Sequence, residues 1–218
     1  MLLDPLPLLD VCNRAYYYPM YRTGPDGRDG ALLTKVEEQA VVAFRGTLTE
    51  GAAAWLDWAS DLRAELVCRE GFPGLVHAGF EAKVHNLLAL LPRFDVGTPP
   101  IICGHSSGGA QALLFGVYLS LRFGIHAKVV TFAAPRAGNA DFAAAASALL
   151  DIDRYENPHD IVPKLPPVDY AATGYLITPP AQWQPPRGIR ENHSLATGYR
   201  PWIEANRPQP RAAQRTNP

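Results

Sequence analysis

The chain has 218 residues and a formal net charge of −1, with 47% apolar and 19% charged residues. This balance is ordinary for a globular protein, and without a basic run it gives no indication of a nucleic-acid partner. No stretch approaches the roughly 18 consecutive apolar residues of a membrane-spanning helix, so no transmembrane segment is expected. The length fits one domain. We predict that this domain covers residues 1–206 and that the polar, Pro-rich residues 207–218 form a flexible tail.

The first ten residues and the cysteines set an expectation about location. The chain begins MLLDPLPLLD, which lacks a positively charged start, and Asp4 and two prolines interrupt the apolar run that a signal peptide needs. Cys103 lies in a predicted strand, where it acts as a small buried apolar residue. A disulfide between Cys12 and Cys68 stays open, but nothing in the sequence requires one. The sequence therefore predicts a cytoplasmic location.

Predicted strands alternate with predicted helices along the chain. A helix at residues 5–18 is followed by a hairpin with strands at 32–36 and 39–45. Further strands are predicted at residues 65–69, 101–105, 128–132, 153–156 and 175–178. Further helices are predicted at residues 50–61, 79–91 and 140–150, with Asn139 as the N-cap of the last, and between Ser106 and Gly124. This alternation is typical of an α/β fold with a mostly parallel central sheet flanked by helices.

The most informative segment is residues 101–110, IICGHSSGGA, in which an apolar strand leads into Gly-x-Ser-x-Gly and then a helix. A serine hydroxyl is a weak nucleophile unless it projects freely beside a base. Gly104 and Gly108 flank Ser106 and permit the sharp strand–turn–helix that provides this projection. Ser106 is therefore the predicted nucleophile.

A serine nucleophile needs a base and a carboxylate that orients the base, and in α/β folds of this kind the chain order is Ser, then Asp or Glu, then His. Asp160 lies just past a predicted strand on a Pro-stiffened loop, at the same sheet edge as Ser106. Asp169 is the alternative acid. His193 is the only histidine after Asp160, and this order favours a base over a solvated or capping histidine.

The other histidines and the cysteines match no metal-binding pattern, so neither a metal nor a cofactor is expected. His105, the variable residue of the Gly-x-Ser-x-Gly motif, is expected to pack or hydrogen-bond beneath the turn. His77 is expected to have a structural role.

Two groups are candidates to stabilise the oxyanion. One is the backbone N–H of Ser107, the residue after the nucleophile. The other is Thr47, which follows Gly46 at the exit of a predicted strand and could add its hydroxyl to its own N–H. A plain strand-end turn explains Gly46-Thr47 equally well from spacing alone.

Six motifs together resemble the class 3 (fungal-type) triacylglycerol lipase family. They are FRGT at 44–47, WASDL at 58–62, VHAGF at 76–80, GHSSGGA at 104–110, TFAAPRAGN at 131–139 and NPHDIVPKLPP at 157–167, and His193 closes the series. The resemblance implies an α/β-hydrolase fold and hydrolysis of carboxylic esters. It implies Ser106, Asp160 and His193 as the triad, with Thr47 and Ser107 as oxyanion donors.

The family also places a mobile lid just after the oxyanion threonine, at residues 48–58 here. In this segment Trp55 and Trp58 lie three residues apart, on one face of a predicted helix with Leu62. Two interpretations stay open: a helix packed on the domain, or an apolar flap that binds substrate and opens at a lipid surface.

The sequence departs from the family at two points. Ser107 occupies a position that is usually leucine, which leaves its N–H unchanged but makes the pocket wall more polar. Only 33 residues separate Asp160 from His193, which indicates a trimmed C-terminal region.

The resulting hypothesis is a serine carboxylic-ester hydrolase that forms an acyl-enzyme on lipid esters such as acylglycerols, with its substrate at a lipid–water interface. The alternatives are a phospholipase or a soluble short-chain esterase with the same machinery, and a catalytically silent binding module.

Overall fold

The computed structural model describes residues 4–48, 65–88 and 98–206. Its strands are β1 (Tyr21–Thr23), β2 (Asp29–Val36), β3 (Gln39–Phe44), β4 (Leu66–Cys68), β5 (Leu75–His77), β6 (Ile101–His105), β7 (Lys128–Phe132), β8 (Asp151–Tyr155) and β9 (Tyr175–Ile177). Its α-helices are α1 (Pro5–Tyr17), α2 (Ala78–Leu88), α3 (Ser107–Phe123), α4 (Ala140–Leu149), α5 (Ile189–His193) and α6 (Arg200–Ala205). A π-helical turn at Leu195–Tyr199 links the last two.

The central sheet is mixed, and most of its strand pairs are parallel. Its strand order is β1-β2-β3-β6-β7-β8-β9, and the pairs from β3 through β9 are parallel, whereas β1, β2 and β3 pair antiparallel. The predicted α/β class and the predicted hairpin are therefore confirmed. Parallel strands place their carboxyl ends at one edge, so the loops that follow β3, β6 and β8 meet there.

Helices cover both faces of the sheet because side chains alternate along each strand. In β6, Ile101 and Cys103 point into a core shared with α1 and α6, whereas Ile102 points into a core shared with α2, α3 and α4. All three side chains are buried. The apolar run of β6 thus reflects a strand covered on both sides.

Two local signals place helix ends where the sequence predicts them. Gly124 ends α3 in the left-handed region, with φ of 67°. Asn139 caps α4, since its side-chain oxygen accepts hydrogen bonds from the backbone N–H groups of Phe142 and Leu75, each at 3.0 Å. The second bond joins the start of α4 to β5.

The structure differs from the predicted elements at several points. Strand β1 was not predicted, and β2 begins at Asp29 rather than Leu32. β5 pairs with β4 as a separate antiparallel hairpin, and β8 begins at Asp151 rather than Asp153. The C-terminal region, expected to consist of loops and one short strand, contains α5, the π-helical turn and α6. The predicted helix at 50–61, with Trp55 and Trp58, and the predicted tail at 207–218 lie outside the described residues.

Two further expectations concern the cysteines and membrane-spanning helices. Cys12, Cys68 and Cys103 are all free thiols, so the possible Cys12–Cys68 bridge does not form. Within the described ranges, no helix is long and apolar enough to cross a membrane.

His77 has the structural role expected from the sequence. Its Nδ1 accepts hydrogen bonds from the N–H groups of Gly79 at 3.0 Å and Phe80 at 3.3 Å, and so caps the start of α2. Its ring stacks on that of Phe80, with centroids 3.8 Å apart. Burial lowers the pKa of His77 to about 4, because the charged form is desolvated. Only the neutral ring can accept at Nδ1.

This cap makes the protein sensitive to acid. Because the pKa of His77 is lower in the folded chain than its ordinary value of 6.5, the unfolded chain binds the proton first as the pH falls. We expect this group to lower the free energy of unfolding by about 2 kcal/mol between pH 7.5 and pH 5, measured by urea unfolding. His77→Asn supplies an acceptor that does not titrate, and it should show a correspondingly smaller pH dependence; an equal dependence would contradict the assignment.

Candidate active site

The predicted nucleophile, Ser106, occupies a sharp turn between β6 and α3. Its backbone has φ of 57° and ψ of −135°, a conformation that residues other than glycine rarely adopt. The turn is fixed by two backbone hydrogen bonds, one from the N–H of Ser106 to the carbonyl of Phe132 and one from the N–H of Gly109 to the carbonyl of Ser106, each 2.9 Å long. The serine is thus held outside the regular strand and helix at the carboxyl edge of the sheet.

The glycines on either side of Ser106 are required by close backbone approaches. A Cβ on Gly104 would lie 2.2 Å from the carbonyl oxygen of Gly108, and a Cβ on Gly108 would lie 2.2 Å from that of Phe44. Neither position accepts a side chain without movement of the backbone. The second contact also brings the start of α3 against the end of β3.

The predicted acid and base are in direct contact. His193 Nδ1 lies 2.8 Å from Asp160 Oδ2, and both side chains are buried. Since a carboxylate only accepts hydrogen bonds, Nδ1 of His193 carries the proton and Nε2 presents its lone pair. His193 and Ser106 line the same pocket. Asp169, the alternative acid, is exposed and lines a different pocket, beside Leu75.

Asp160 is held by two donors besides His193. The hydroxyl of Tyr199 donates to its Oδ2 at 2.8 Å, and the backbone N–H of Val162 donates to its Oδ1 at 3.0 Å. Tyr199 also accepts from the N–H of Asn157 at 3.2 Å. Burial and the charge of Asp160 raise the pKa of Tyr199 well above its ordinary value, so the hydroxyl keeps its proton. Both oxygens of the buried Asp160 carboxylate therefore accept hydrogen bonds.

His105 is hydrogen-bonded beneath the turn, as expected from the sequence. Its Nε2 lies 2.8 Å from the carbonyl oxygen of His193 and therefore donates, and its Nδ1 accepts from the hydroxyl of Tyr16 at 2.7 Å. Burial, followed by the proximity of His193, lowers the pKa of His105 well below its ordinary value. The neutral imidazole therefore links α1 to the backbone of the predicted base.

The two candidate oxyanion donors lie side by side. The hydroxyl oxygen of Thr47 is 2.9 Å from that of Ser107, and Thr47 lines the pocket with Ser106. Ser107 is the first residue of α3, and the leading N–H groups of a helix have no intrahelical acceptor. The side-chain amide of Gln111 donates to the carbonyls of Ser107 at 3.1 Å and Arg45 at 3.4 Å, which ties the two donor segments together.

The pocket above these residues has a volume of about 350 Å³. Its described wall is formed by side chains of α1, the β3 exit, α5 and the π-helical turn, and it includes Asn13, Tyr16, Tyr17, Leu48, Arg190 and Leu195. No group of three His, Cys, Asp or Glu side chains in the described part of the chain could hold a metal ion.

The family model for lipase (class 3) matches residues 41–170, which is more than half of the chain. The chain belongs to the class 3 lipase family. Class 3 lipases are carboxylic-ester hydrolases, and the matched range contains the strand–turn–helix around Ser106 and the Asp160 loop.

Several curated proteins are similar to this chain over half of its length. Toxin TseL of Vibrio cholerae is 36% identical over 117 residues, which are 50% of this chain and 18% of the toxin. Secreted mono- and diacylglycerol lipase 1 of Fusarium solani is 32% identical over 116 residues, 50% of this chain and 34% of that lipase. The chain thus matches less than half of the length of either relative.

Solved structures share the fold of this chain. The lipase from Rhizopus microsporus var. chinensis superposes with a TM-score of 0.65 at 21% identity, over 85% of this chain and 77% of that one. A triacylglycerol lipase from Penicillium expansum gives a TM-score of 0.61 at 18% identity, over 89% and 87%. The predicted α/β-hydrolase fold is confirmed.

The predicted cytoplasmic location is wrong. The related lipases of Fusarium solani and Penicillium cyclopium are secreted proteins, which points to the outside of the cell. The inference from cysteine usage had little weight, because a domain of this size has a hydrophobic core large enough to fold without disulfides.

Three polar side chains of the site were missed in the sequence: Tyr16, Tyr199 and Arg190. The two tyrosines bind residues that are distant in sequence. Tyr16 is hydrogen-bonded to His105, 89 residues away, and Tyr199 to Asp160, 39 residues away. Tyr199 lies six residues after His193, and this spacing is the signal in the sequence that could have drawn attention to it. Arg190 precedes His193 by three residues in a short helix that was not predicted.

Removal of the Tyr199 hydroxyl tests the support of Asp160. A hydrogen bond to a charged group contributes about 1.5–3 kcal/mol, so we expect Tyr199→Phe to lower kcat/KM for a soluble p-nitrophenyl ester at least about 10-fold. Tyr155→Phe is the matched control, since it removes the hydroxyl of another buried tyrosine of the same core. Equal rates for the two variants would contradict a role of Tyr199 at the site.

Proposed function

We propose that the chain is an extracellular serine hydrolase that cleaves carboxylic esters of lipids, such as acylglycerols, through a Ser106–His193–Asp160 triad and an acyl-enzyme. The proposal rests above all on the 2.8 Å contact between His193 Nδ1 and Asp160 Oδ2, beside the strained turn that carries Ser106. A carboxylate that orients a histidine beside a serine is the arrangement that activates a serine nucleophile, and this supports the proposal.

In the first half-reaction, the oxygen of Ser106 attacks the ester carbonyl carbon while its proton passes to Nε2 of His193. Asp160 stabilises the imidazolium that results. The carbonyl oxygen becomes an oxyanion, which accepts hydrogen bonds from the Thr47 hydroxyl and the Ser107 N–H. The tetrahedral intermediate then collapses, and His193 returns the proton to the departing alcohol. Water repeats the sequence on the acyl-enzyme and releases the fatty acid and free Ser106.

A lipid ester is the substrate class that the mouth of the pocket favours. The side chains of Tyr17 and Leu48 line it and are 67% and 48% exposed, so an acyl chain would find apolar surface there. Similarity to relatives named as secreted mono- and diacylglycerol lipases also supports a glycerol ester and an extracellular site of action.

Covalent labelling tests the nucleophile. We expect a fluorophosphonate probe to modify Ser106, as mapped by mass spectrometry, because only an activated serine reacts readily. Ser106→Ala should remove the label and lower kcat by a factor on the order of 10⁶, and His193→Ala should also abolish labelling.

Ser194 provides the control, because it lines the same pocket as Ser106. Ser194→Ala should be labelled like the wild type. Labelling that persists in Ser106→Ala would overturn the assignment. An unlabelled wild type, also in the presence of detergent micelles, would favour the catalytically silent binding module.

Arg190 favours a second candidate, a phospholipase with the same machinery. Its side chain is exposed and lines the pocket that contains Ser106 and His193. Within the described residues it has neither a hydrogen bond nor an ion pair, so its charge is not neutralised by a neighbouring carboxylate. A guanidinium in this position can bind a phosphate group bidentately when the scissile ester is at Ser106.

The substrate preference of Arg190→Gln decides between the two candidates. If phosphate is bound here, the ratio of kcat/KM for phosphatidylglycerol to that for diacylglycerol, both in mixed micelles, should fall about 10-fold, as expected for one charge-assisted hydrogen bond. Arg187→Gln, which removes an exposed arginine that does not line the pocket, should leave the ratio unchanged. An unchanged ratio in Arg190→Gln would favour the acylglycerol lipase.

A further inference from the structure

The hydroxyl groups of Thr47 and Ser107 form a pair at the proposed oxyanion site. Thr47 follows β3 and Ser107 begins α3, and their hydroxyl oxygens lie 2.9 Å apart although 60 residues separate them in sequence. Thr47 is partly exposed to the pocket, whereas Ser107 is fully buried. The Ser107 hydroxyl therefore contacts Thr47 without lining the pocket itself.

The direction of this hydrogen bond follows from the role proposed for Thr47. A hydroxyl has one proton to donate and can accept two hydrogen bonds. If the proton of Thr47 points at the oxyanion, Thr47 cannot also donate to Ser107, so Ser107 must be the donor of the pair. The donors then form a chain from Ser107 to Thr47 to the oxyanion, in which each hydrogen bond polarises the next.

The backbone around Thr47 is held by hydrogen bonds and close contacts. Gln111 bonds to the carbonyls of both Arg45 and Ser107. A Cβ on Gly46 would lie 2.7 Å from the carbonyl oxygen of His105, so the exit of β3 lies tightly against the turn. The segment that carries Thr47 is thereby fixed. The backbone does not fix the rotation of the Thr47 hydroxyl, and among the residues that the structure describes Ser107 is a neighbour that can orient it.

We propose that the hydroxyl of Ser107 is a positioning group for the reaction: it donates to Thr47 and holds the threonine proton towards the oxyanion. This role is separate from the N–H of Ser107, which contacts the oxyanion directly in the proposed mechanism. The inference rests on the proposed function, because it assigns a task only if an oxyanion forms between these residues. A pre-oriented donor costs no reorganisation when the charge develops, so its effect appears in kcat rather than in KM.

A double-mutant cycle on a soluble p-nitrophenyl ester tests the coupling. We expect Ser107→Ala to lower kcat about 10-fold with an unchanged KM, which corresponds to one hydrogen bond of about 1.4 kcal/mol. Thr47→Val removes the donor to the oxyanion and should lower kcat about 10²–10³-fold. The double variant should be no slower than Thr47→Val within a factor of two, because Ser107 acts through Thr47. Multiplicative losses, or a wild-type kcat in Ser107→Ala, would overturn the proposal.

Ser107→Cys separates hydrogen bonding from packing. Cysteine fills the volume of serine but is a weak donor, so its kcat should stay close to that of Ser107→Ala. A return to wild-type kcat would indicate a packing role and overturn the proposal. Ser120→Ala, which removes a buried hydroxyl from the same helix, is the control for stability and should keep the wild-type kcat.

Fluorophosphonate labelling of the wild type distinguishes a failure of the proposed function from a failure of the positioning role alone. If the wild type is neither labelled nor active, the proposed function fails, and the positioning role fails with it. If the wild type is labelled and active but the cycle is multiplicative, the positioning role alone fails.

Discussion

The contact between the start of α3 and the end of β3 is the constraint on which the site depends. Gly108 lies so close to the carbonyl of Phe44 that a methyl group there would overlap it, and this approach sets Ser107 beside Thr47. As a consequence, Ser106 adopts a strained backbone conformation with positive φ, which costs about 1–3 kcal/mol. Such strain persists because the buried strands and helix on both sides leave the turn no alternative. The geometry of the proposed nucleophile is thus set by backbone packing, before any side chain of the site is considered.

The same edge of the sheet collects groups from distant parts of the chain. The loops after β3, β6 and β8 contribute Thr47, Ser106 and Asp160, and the C-terminal helices contribute His193. Hydrogen bonds from Asn157 to the backbone and side chain of Asn192, at 3.0 and 2.8 Å, join the Asp160 loop to helix α5. The short distance in sequence between acid and base is therefore compatible with a complete site, because buried amides hold the two segments together.

Site residues fixed by local interactions could be predicted from the sequence, whereas those fixed by contacts between distant parts of the chain could not. Ser106 and its glycines obey local rules of backbone geometry, and the order of acid and base follows from the parallel sheet, so these positions were accessible from sequence. Helices α5 and α6 could not be predicted from the sequence, since they have only five and six residues. Isolated helices of that length are unstable, and burial of Trp202 and Tyr199 against the sheet stabilises this region. The two tyrosines that bind His105 and Asp160 escaped notice for a related reason: their partners are set by the tertiary fold.

The adjacent imidazoles of His105 and His193, with ring centroids 4.7 Å apart, raise the question of which ring would accept the Ser106 proton in the proposed mechanism. The hydrogen-bond partners of the two rings differ. His105 Nδ1 is occupied by the Tyr16 hydroxyl and its Nε2–H by the carbonyl of His193, so both nitrogens are engaged while the ring is neutral. His193 contacts a carboxylate at Nδ1, so its Nδ1–H is held by Asp160 and its Nε2 carries the lone pair. Burial and the neighbouring His193 lower the pKa of His105, so in the proposed mechanism its neutral ring places no second positive charge beside the imidazolium of His193. In the proposed mechanism His105, the variable residue of the turn, thus supports His193 without competing with it for the proton.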